Sequence, residues 1–327
     1  MKKLIGALAA LAISASAAIA QDFPSRPITM IVPYPAGGVT DGMSRLLAER
    51  MQSVLGQTVI VENAGGAAGS VGVGRVARSA PDGYTFVVGN LETNVTNSVS
   101  LQLNYDVLND FEPIALLPSY PFLIVSKNDV PAKTLPELIE WLKQNHQKVF
   151  QGTVGAGTIQ HLCGLRMQER LGLKWSFIPY RGGAPAMQDM VAGQFDVMCT
   201  ATGSFLPLVR NNQIRAYAVT AKTRMEAAPE IPTVDEVGLP GFYVGVWNAM
   251  WAPKGTPKPI IAKLNDATVK AINDAGLRKK IIDMGLDMPP ADMQTPEALG
   301  AYQKAEADVW LPVMRKMKDE IKEDAKK

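Results

Sequence analysis

The stretch ITMIVPYPAGGVTDGMSRLLAERMQSVLG, residues 28–56, contains the elements that decide the fold. A run rich in β-branched residues, Ile28 to Val32, predicts a strand, and Pro33 to Gly38 predicts a turn after it. From Thr40 onward apolar residues recur at helical spacing until Gly56 ends the pattern. A strand, a glycine turn and a helix in this order form the repeating unit of parallel α/β domains.

The same unit recurs in the second half of the chain, with a strand over 148–153, a glycine turn over 154–158 and a helix over 158–171. Other predicted strands are 59–62, 84–89, 123–126, 176–179, 195–199, 214–219 and 243–251. Other predicted helices are 71–78, 135–142, 184–191, 257–272 and 296–317. Capping boxes, in which Thr and Glu three residues apart satisfy a helix start, are predicted at Thr134 and Thr233. The alternation predicts an α/β fold built from two similar modules.

The first twenty residues predict an export signal. Lys2 and Lys3 precede an apolar run that ends in Ala18-Ile19-Ala20, the small-x-small pattern of a cleavage site. We expect cleavage before Gln21 and a periplasmic mature protein. The run is short, rich in alanine and followed at once by polar residues, which favours a signal over a membrane anchor.

Charge and length limit the classes of partner and the number of domains. The chain has 327 residues and a formal net charge of +2, and Lys2 and Lys3 account for that excess. A mature chain close to neutral argues against nucleic acid and anionic membranes as partners. Its length suits two domains of ordinary size.

Both glycine turns, residues 35–41 and 154–158, place Gly and Thr between the end of a strand and the start of a helix. Free backbone N–H groups at such a helix end, together with the helix dipole, hold anions without a cationic side chain. The alternative is that Gly only shapes the turn and Thr only caps the helix. Their occurrence in two modules of an exported chain favours ligand binding.

Enzymatic signatures are weak. Residues 72–77 fit a dinucleotide-binding pattern, but about ten residues separate them from the preceding strand, whereas the pattern follows its strand directly. No G-x-S-x-G elbow supports a hydrolase, and His146 and His161 lack a candidate nucleophile. We therefore expect no enzymatic activity, no cofactor and no metal site. His161 has two interpretations, as a packing or capping residue or as a ligand contact. The two cysteines, Cys163 and Cys199, either form a disulfide or are free thiols.

Several segments together resemble one known family, the Bug/TctC periplasmic solute-binding proteins of tripartite tricarboxylate transporters. The matching segments run through almost the whole mature chain in order: FPSRPI (23–28), IVPYPAGGVTD (31–41), APDGYT (80–85), VGAGTIQHL (154–162), PYRGG (179–183) and GQFDVM (193–198).

The resemblance implies a two-lobed periplasmic-binding-protein fold, with two crossovers between the lobes and a ligand cleft between them. It places the first lobe at 21–120 and 223–327 and the second at 121–222. The ligand it implies is a small di- or tricarboxylate or an aromatic acid. The partners it implies are this ligand and the membrane subunits of the transporter, with the binding protein itself a monomer. A sensor that signals to a membrane kinase is the alternative function, and a periplasmic hydrolase is a remote one.

The resemblance also implies the residues of the site. Ligand contacts are expected at Tyr34, Ala36, Gly37, Gly38, Thr40, Asp41, Asn90, Thr93, Gly155, Ala156, Gly157, Thr158, His161, Arg181, Thr202 and Trp247. A disulfide between Cys163 and Cys199 is expected as well, because a branch of the family carries both cysteines. Glu92 departs from the family pattern, since a small or hydroxyl-bearing loop is usual there. A Glu92 side chain facing the ligand would repel a second carboxylate or pair with an amino group, and the alternative is that it points to solvent, as most Glu side chains do.

Overall fold

The computed structural model describes residues 23–155, 158–180 and 183–324. Four of the sequence predictions lie outside the described residues: the signal at 1–20, Ala156, Gly157 and Arg181.

Nine strands alternate with helices in the described residues. The strands are β1 (Ile28–Val32), β2 (Val59–Asn63), β3 (Thr85–Asn90), β4 (Phe111–Lys127), β5 (Phe150–Thr153), β6 (Ser176–Pro179), β7 (Val197–Ala201), β8 (Ile214–Val219) and β9 (Gly245–Pro253). The helices are α1 (Val39–Leu55), α2 (Ser70–Ala77), α3 (Asn97–Ser100), α4 (Leu135–Asn145), α5 (Ile159–Leu171), α6 (Gly183–Val191), α7 (Thr202–Arg210), α8 (Lys258–Ile272), α9 (Ala275–Asp283) and α10 (Pro296–Asp324). A π-helical turn, Glu92–Thr96, and a 3-10 turn, Ala291–Met293, complete the set.

The chain forms two compact units. Among the described residues, the first unit comprises those up to Leu117, Asn248–Leu277 and those from Pro289 onward. The second comprises Pro118–Trp247 and Arg278–Met288.

In the first unit the strands lie side by side in the order β2-β1-β3-β9. Strands β1, β2 and β3 are parallel, and β9 runs antiparallel to β3. Helices α1 and α8 pack against each other. Met30, Phe86 and Trp251 are fully buried in this unit. Because β1 and β3 are parallel neighbours, the loops that follow them leave the same edge of the sheet.

In the second unit β4 lies between β8 and β7, and the order continues from β7 through β5 to β6. Strand β4 is antiparallel to both β7 and β8, whereas β5 is parallel to β6 and β7. The core includes Leu123, Phe195, Met198 and Phe205, all of them buried.

The second unit extends beyond the predicted boundary at 222/223. The Val219 N–H donates to the Pro232 carbonyl, and the Val244 N–H donates to the Thr220 carbonyl. These backbone bonds tie the segment after β8 to the second unit, so the chain leaves that unit at 247/248 instead. Residues 278–288 also belong to it, because Ser119 and Asp287 exchange two backbone hydrogen bonds.

Within the described ranges, no helix has both the length and the apolar character needed to cross a membrane.

Cys163 and Cys199, the pair that the resemblance implies, form a disulfide. Their Cα atoms are 6.1 Å apart and their separation in sequence is 36 residues. Cys163 lies in α5 and Cys199 in β7, so the bond joins a helix to the sheet of the second unit.

Replacing both cysteines, in Cys163→Ala/Cys199→Ala, should lower the free energy of unfolding by about 3 to 4 kcal/mol, because closing a loop of this length restricts the unfolded chain. Urea denaturation measures the change. Dithiothreitol should weaken the parent by a similar amount and leave the double variant unchanged. Equal stability of parent and variant without reductant would contradict the prediction.

Candidate functional site

The loop between β1 and α1 leaves the amino end of the helix open. Gly38 is the N-cap residue, and it has no side chain to accept a hydrogen bond from the helix. The first hydrogen bond of α1 runs from the Gly42 N–H to the Gly38 carbonyl at 2.9 Å. The N–H groups of Val39, Thr40 and Asp41 therefore have no intrahelical acceptor. Because Ala36, Gly37 and Gly38 are exposed, a solute can reach this helix end.

Asp41 holds the shape of this loop from inside the first turn of α1. Its carboxylate accepts hydrogen bonds from the Gly37 N–H at 2.9 Å and from Asn63 Nδ2 at 2.8 Å. It also pairs with Arg45, whose guanidinium lies 3.0 Å away. Gly37 has a φ of +87°, a backbone conformation that favours glycine. The Gly37 N–H is thus used within the loop, which leaves the helix N–H groups as the open donors.

The charge on Asp41 is stabilised by these partners. Burial alone would raise the pKa of Asp41, but the hydrogen bonds from Arg45, the Gly37 N–H and Asn63 outweigh burial and lower the pKa. Asp41 is 4% exposed, so its carboxylate is a positioning group for the loop and faces little solvent. The sequence prediction that Asp41 contacts ligand gains no support from this arrangement.

Thr40 connects the loop to the sheet. Its hydroxyl lies 3.4 Å from Asn248 Oδ1, to which it donates. Asn248 in β9 lies opposite Asn90 in β3. The sequence places Asn248 directly after the predicted contact Trp247, but the hydrogen bond between Asn248 and Thr40 was not predicted. Tyr34 is a half-buried residue just after β1. Its carbonyl accepts a hydrogen bond from Asn63 Nδ2 at 3.1 Å.

Asn90 and Thr93 start the π-helical turn after β3. Asn90 Oδ1 accepts the N–H groups of Glu92 and Thr93 at 2.9 and 3.1 Å. The Thr93 hydroxyl accepts the Asn90 N–H at 2.9 Å and donates to Asn94 Oδ1 at 2.8 Å. Both side chains are buried and bound within their own turn. A side chain at Gly89 would clash with Asn94 Oδ1, so glycine permits the close approach of the turn to β3.

Glu92 stands at the first position of this turn and is half-buried. Within the described part of the chain its carboxylate accepts no hydrogen bond and forms no ion pair. Burial raises the pKa of Glu92.

The corresponding loop of the second unit is capped. The Thr158 hydroxyl donates to the Gly155 carbonyl at 2.8 Å and accepts the His161 N–H at 3.4 Å. Gly155 has a φ of +121°. Because the Thr158 hydroxyl donates to the Gly155 carbonyl and accepts the His161 N–H, this side chain acts as an N-cap, and its expected contact with a ligand stays a prediction.

The other predicted contacts of the second unit are packed into it. The ring of His161 meets Phe177 edge-on with centroids 4.6 Å apart, and burial lowers the pKa of His161, which keeps the ring neutral at pH 7. Thr202 is fully buried and donates to the Gly285 carbonyl at 3.0 Å. Trp247 is 3% exposed. Among the residues described, no group of three or more His, Cys, Asp and Glu side chains could hold a metal ion.

Comparison with known proteins identifies similar chains. A family model described as "Tripartite tricarboxylate transporter family receptor" matches residues 43–311. The structure of the periplasmic binding protein BugD is 39% identical, covers 90% of this chain and 98% of its own, and superposes with a TM-score of 0.73. MatC from Rhodopseudomonas palustris, with bound malate, is 35% identical over 89% of this chain and 100% of its own, with a TM-score of 0.74. Another Rhodopseudomonas palustris protein, solved with adipate, is 28% identical over 90% and 98% of the two chains, with a TM-score of 0.76.

Removing the charge of Asp41, in Asp41→Asn, should lower the free energy of unfolding at pH 7 by about 1.5 to 3 kcal/mol, because hydrogen bonds to a charged group are lost. The lowered pKa means that the ionised carboxylate stabilises the folded state above about pH 4 and that this contribution is lost as the pH falls through the folded pKa. The difference between parent and variant should therefore shrink at acidic pH. Urea denaturation across a pH series measures it.

Asp266→Asn is the matched control, because Asp266 forms an exposed ion pair with Lys270 at 2.8 Å. Its effect should stay below about 0.5 kcal/mol. Equal effects of the two substitutions would show that Asp41 has no special role in the loop.

Proposed function

Because the chain belongs to the tripartite tricarboxylate transporter receptor family, we propose that it captures a small organic carboxylate in the periplasm and delivers it to a tripartite transporter in the membrane. The predicted Bug/TctC family is confirmed by the family match and by the likeness to BugD. The chain is accordingly a solute-binding protein and not an enzyme.

The class of ligand follows from the relatives and from the loop after β1. Malate and adipate, the ligands in two similar structures, are both small dicarboxylates. A carboxylate has acceptor oxygens that suit several converging N–H donors. Our proposal is therefore a small organic carboxylate, a class that includes di- and tricarboxylates, aromatic acids and acids with other groups at their far end.

The observation that carries the proposal is the open amino end of α1. Its uncapped N–H groups and its helix dipole favour a bound anion, and no cationic side chain is needed. We propose that one carboxylate of the ligand accepts hydrogen bonds from the N–H groups at the start of this helix. The Thr40 hydroxyl, which Asn248 positions, lies beside them.

The remaining parts of the assignment are predictions. Ligand contact by the loop at Gly155 and Thr158, and by Ala156, Gly157 and Arg181, stays a prediction from the family resemblance. Export through the leader at 1–20, a monomeric state and docking to membrane subunits of a transporter are proposed on the same ground.

A thermal-shift panel of dicarboxylates, citrate, hydroxy acids and benzoates tests the proposal. A ligand present at a hundred times its Kd should stabilise the protein by about 2.7 kcal/mol, which is a readily measured rise in Tm. Neutral sugars and alkylamines without a carboxylate should leave Tm unchanged. A panel in which carboxylates stabilise no better than these controls would refute carboxylate binding.

The substitution Gly38→Val tests the position of the carboxylate. A Cβ at Gly38 would meet only the Pro35 carbonyl oxygen, at 3.8 Å, so the fold has room for it. The added side chain stands where the anion would bind, and loss of hydrogen bonds worth about 1.5 to 3 kcal/mol should weaken binding about ten- to a hundred-fold. Calorimetry with the carboxylate found in the panel measures Kd.

Gly276→Val is the control, because Gly276 is an exposed helical glycine whose Cβ would only touch Asp274 Oδ1 at 3.4 Å. It should leave Kd unchanged. Unaltered binding by Gly38→Val, with Tm close to that of the parent, would place the carboxylate elsewhere.

A further inference from the structure

Glu92 carries a half-buried carboxylate that the rest of the described chain leaves without a partner. Two other partly buried carboxylates are paired: Asp41 is held by Arg45, and Asp196 lies 2.8 Å from Lys127. Asp287 of the second unit resembles Glu92 instead, because burial raises its pKa and no cation lies beside it among the described residues. An ionised carboxylate withdrawn from water is unfavourable unless a cation or hydrogen-bond donors compensate it. Glu92 thus lacks the cationic partner that Asp41 and Asp196 have.

The position of Glu92 relates it to the open end of α1. The Thr40 hydroxyl is 3.4 Å from Asn248 Oδ1, Asn248 lies opposite Asn90, and Asn90 Oδ1 accepts the Glu92 N–H at 2.9 Å. Paired residues in a sheet lie about 5 Å apart, so Thr40 and Glu92 are within roughly 15 Å of each other. The length of a glutamate side chain and a ligand of four to six carbons can span that distance.

The amino end of α1 and the Glu92 carboxylate attract groups of opposite charge. The amino end of α1 attracts a negative group, whereas Glu92 attracts a positive group and repels a negative one. A dicarboxylate bound at α1 would bring its second carboxylate toward an uncompensated negative charge. A ligand with an ammonium group at its far end would instead supply the missing partner.

We propose that Glu92 makes this protein select an amino carboxylate, a small acid whose far end carries an ammonium group, over a dicarboxylate of the same length. This inference rests on the proposed function, because it takes the carboxylate end of the ligand to bind at α1. Glu92 is then the residue that determines specificity, and the helix end is the part of the site common to all carboxylates.

Matched ligand pairs test the selection. In 4-aminobutyrate and succinate, and in 6-aminohexanoate and adipate, an ammonium group and a carboxylate occupy the same end of chains of similar length. Calorimetry should show that the parent binds at least one amino acid tenfold or more tightly than its matched diacid. In Glu92→Gln, which keeps the shape and removes the charge, the amino acid should bind at least tenfold more weakly and the diacid more tightly.

Glu297→Gln is the control, because Glu297 is an exposed residue in the first turn of α10 of the same unit. It should leave both affinities unchanged. The ratio of the two affinities is the readout, so a general loss of stability in Glu92→Gln does not imitate the expected result.

The outcomes separate the two proposals. Tighter binding of the diacids by the parent, or an unchanged ratio in Glu92→Gln, overturns the role of Glu92 and leaves carboxylate binding in place. Binding of none of the four probes, together with a thermal-shift panel without a carboxylate ligand, overturns the proposed function and this inference with it.

Discussion

The hydrogen bond from the Gly37 N–H to the carboxylate of Asp41 is the constraint on which the candidate site depends. In a complete capping box, the N-cap side chain accepts from the third residue of the helix, whose own side chain reaches back to the chain before the helix. Helix α4 has both halves, since Thr134 accepts the Glu137 N–H and Glu137 accepts the Lys133 N–H. In α1 Asp41 supplies only the second half, because Gly38 has no side chain. The loop is fixed while the N–H groups of the helix stay open.

The two glycine turns, which look alike in sequence, therefore differ in structure. Thr158 stands at the N-cap of α5 and closes that helix end with its own hydroxyl, whereas Thr40 lies two residues inside α1 and donates to Asn248. The second turn ends in the sequence Gly-Thr, whereas the first ends in Gly-Gly-Val-Thr. This difference in sequence sets whether a threonine or a glycine occupies the N-cap. Of the two alternatives considered from sequence, the capped turn describes the start of α5, whereas an anion site at the uncapped start of α1 stays a prediction.

Much of the fold could be predicted because local signals were strong. The strand at Ile28–Val32 and the end of α1 at Gly56 match the structure, since a β-branched run and a glycine at the C-cap are direct markers. The strand β4 was predicted only over 123–126, because Pro113, Pro118 and Pro121 lack N–H groups and read as breaks. Helix α7 was not predicted, because it contains Gly203 and Pro207, residues with low helix propensity.

The π-helical turn was missed for a different reason. Its sequence, ETNVT, is poor in helix-forming residues, and the turn is held by contacts distant in sequence. Gln303 of α10 donates to the Asn94 carbonyl at 2.9 Å, and Asn90 caps the start. In the site, the glycine loop was visible as a motif. The roles of Asn63, Arg45 and Asn248 could not be predicted from sequence, because each depends on a partner that folding brings near.

A site made of backbone N–H groups has a consequence for specificity. Every carboxylate presents the same two oxygens to such a helix end, so the site proposed at the α1 terminus would distinguish an acid from a neutral solute but not one acid from another. Selection among acids must come from side chains that face the rest of the ligand. Asp41, Asn90 and Thr93 are engaged within their own loops, and Thr40 is directed at Asn248. Glu92 is a charged residue of this edge that these internal bonds leave available, and it follows a strand adjacent to the one that carries the proposed carboxylate-binding loop. Our two proposals therefore place recognition of the acid end and choice of the far end on two loops of one sheet edge, after the neighbouring strands β1 and β3.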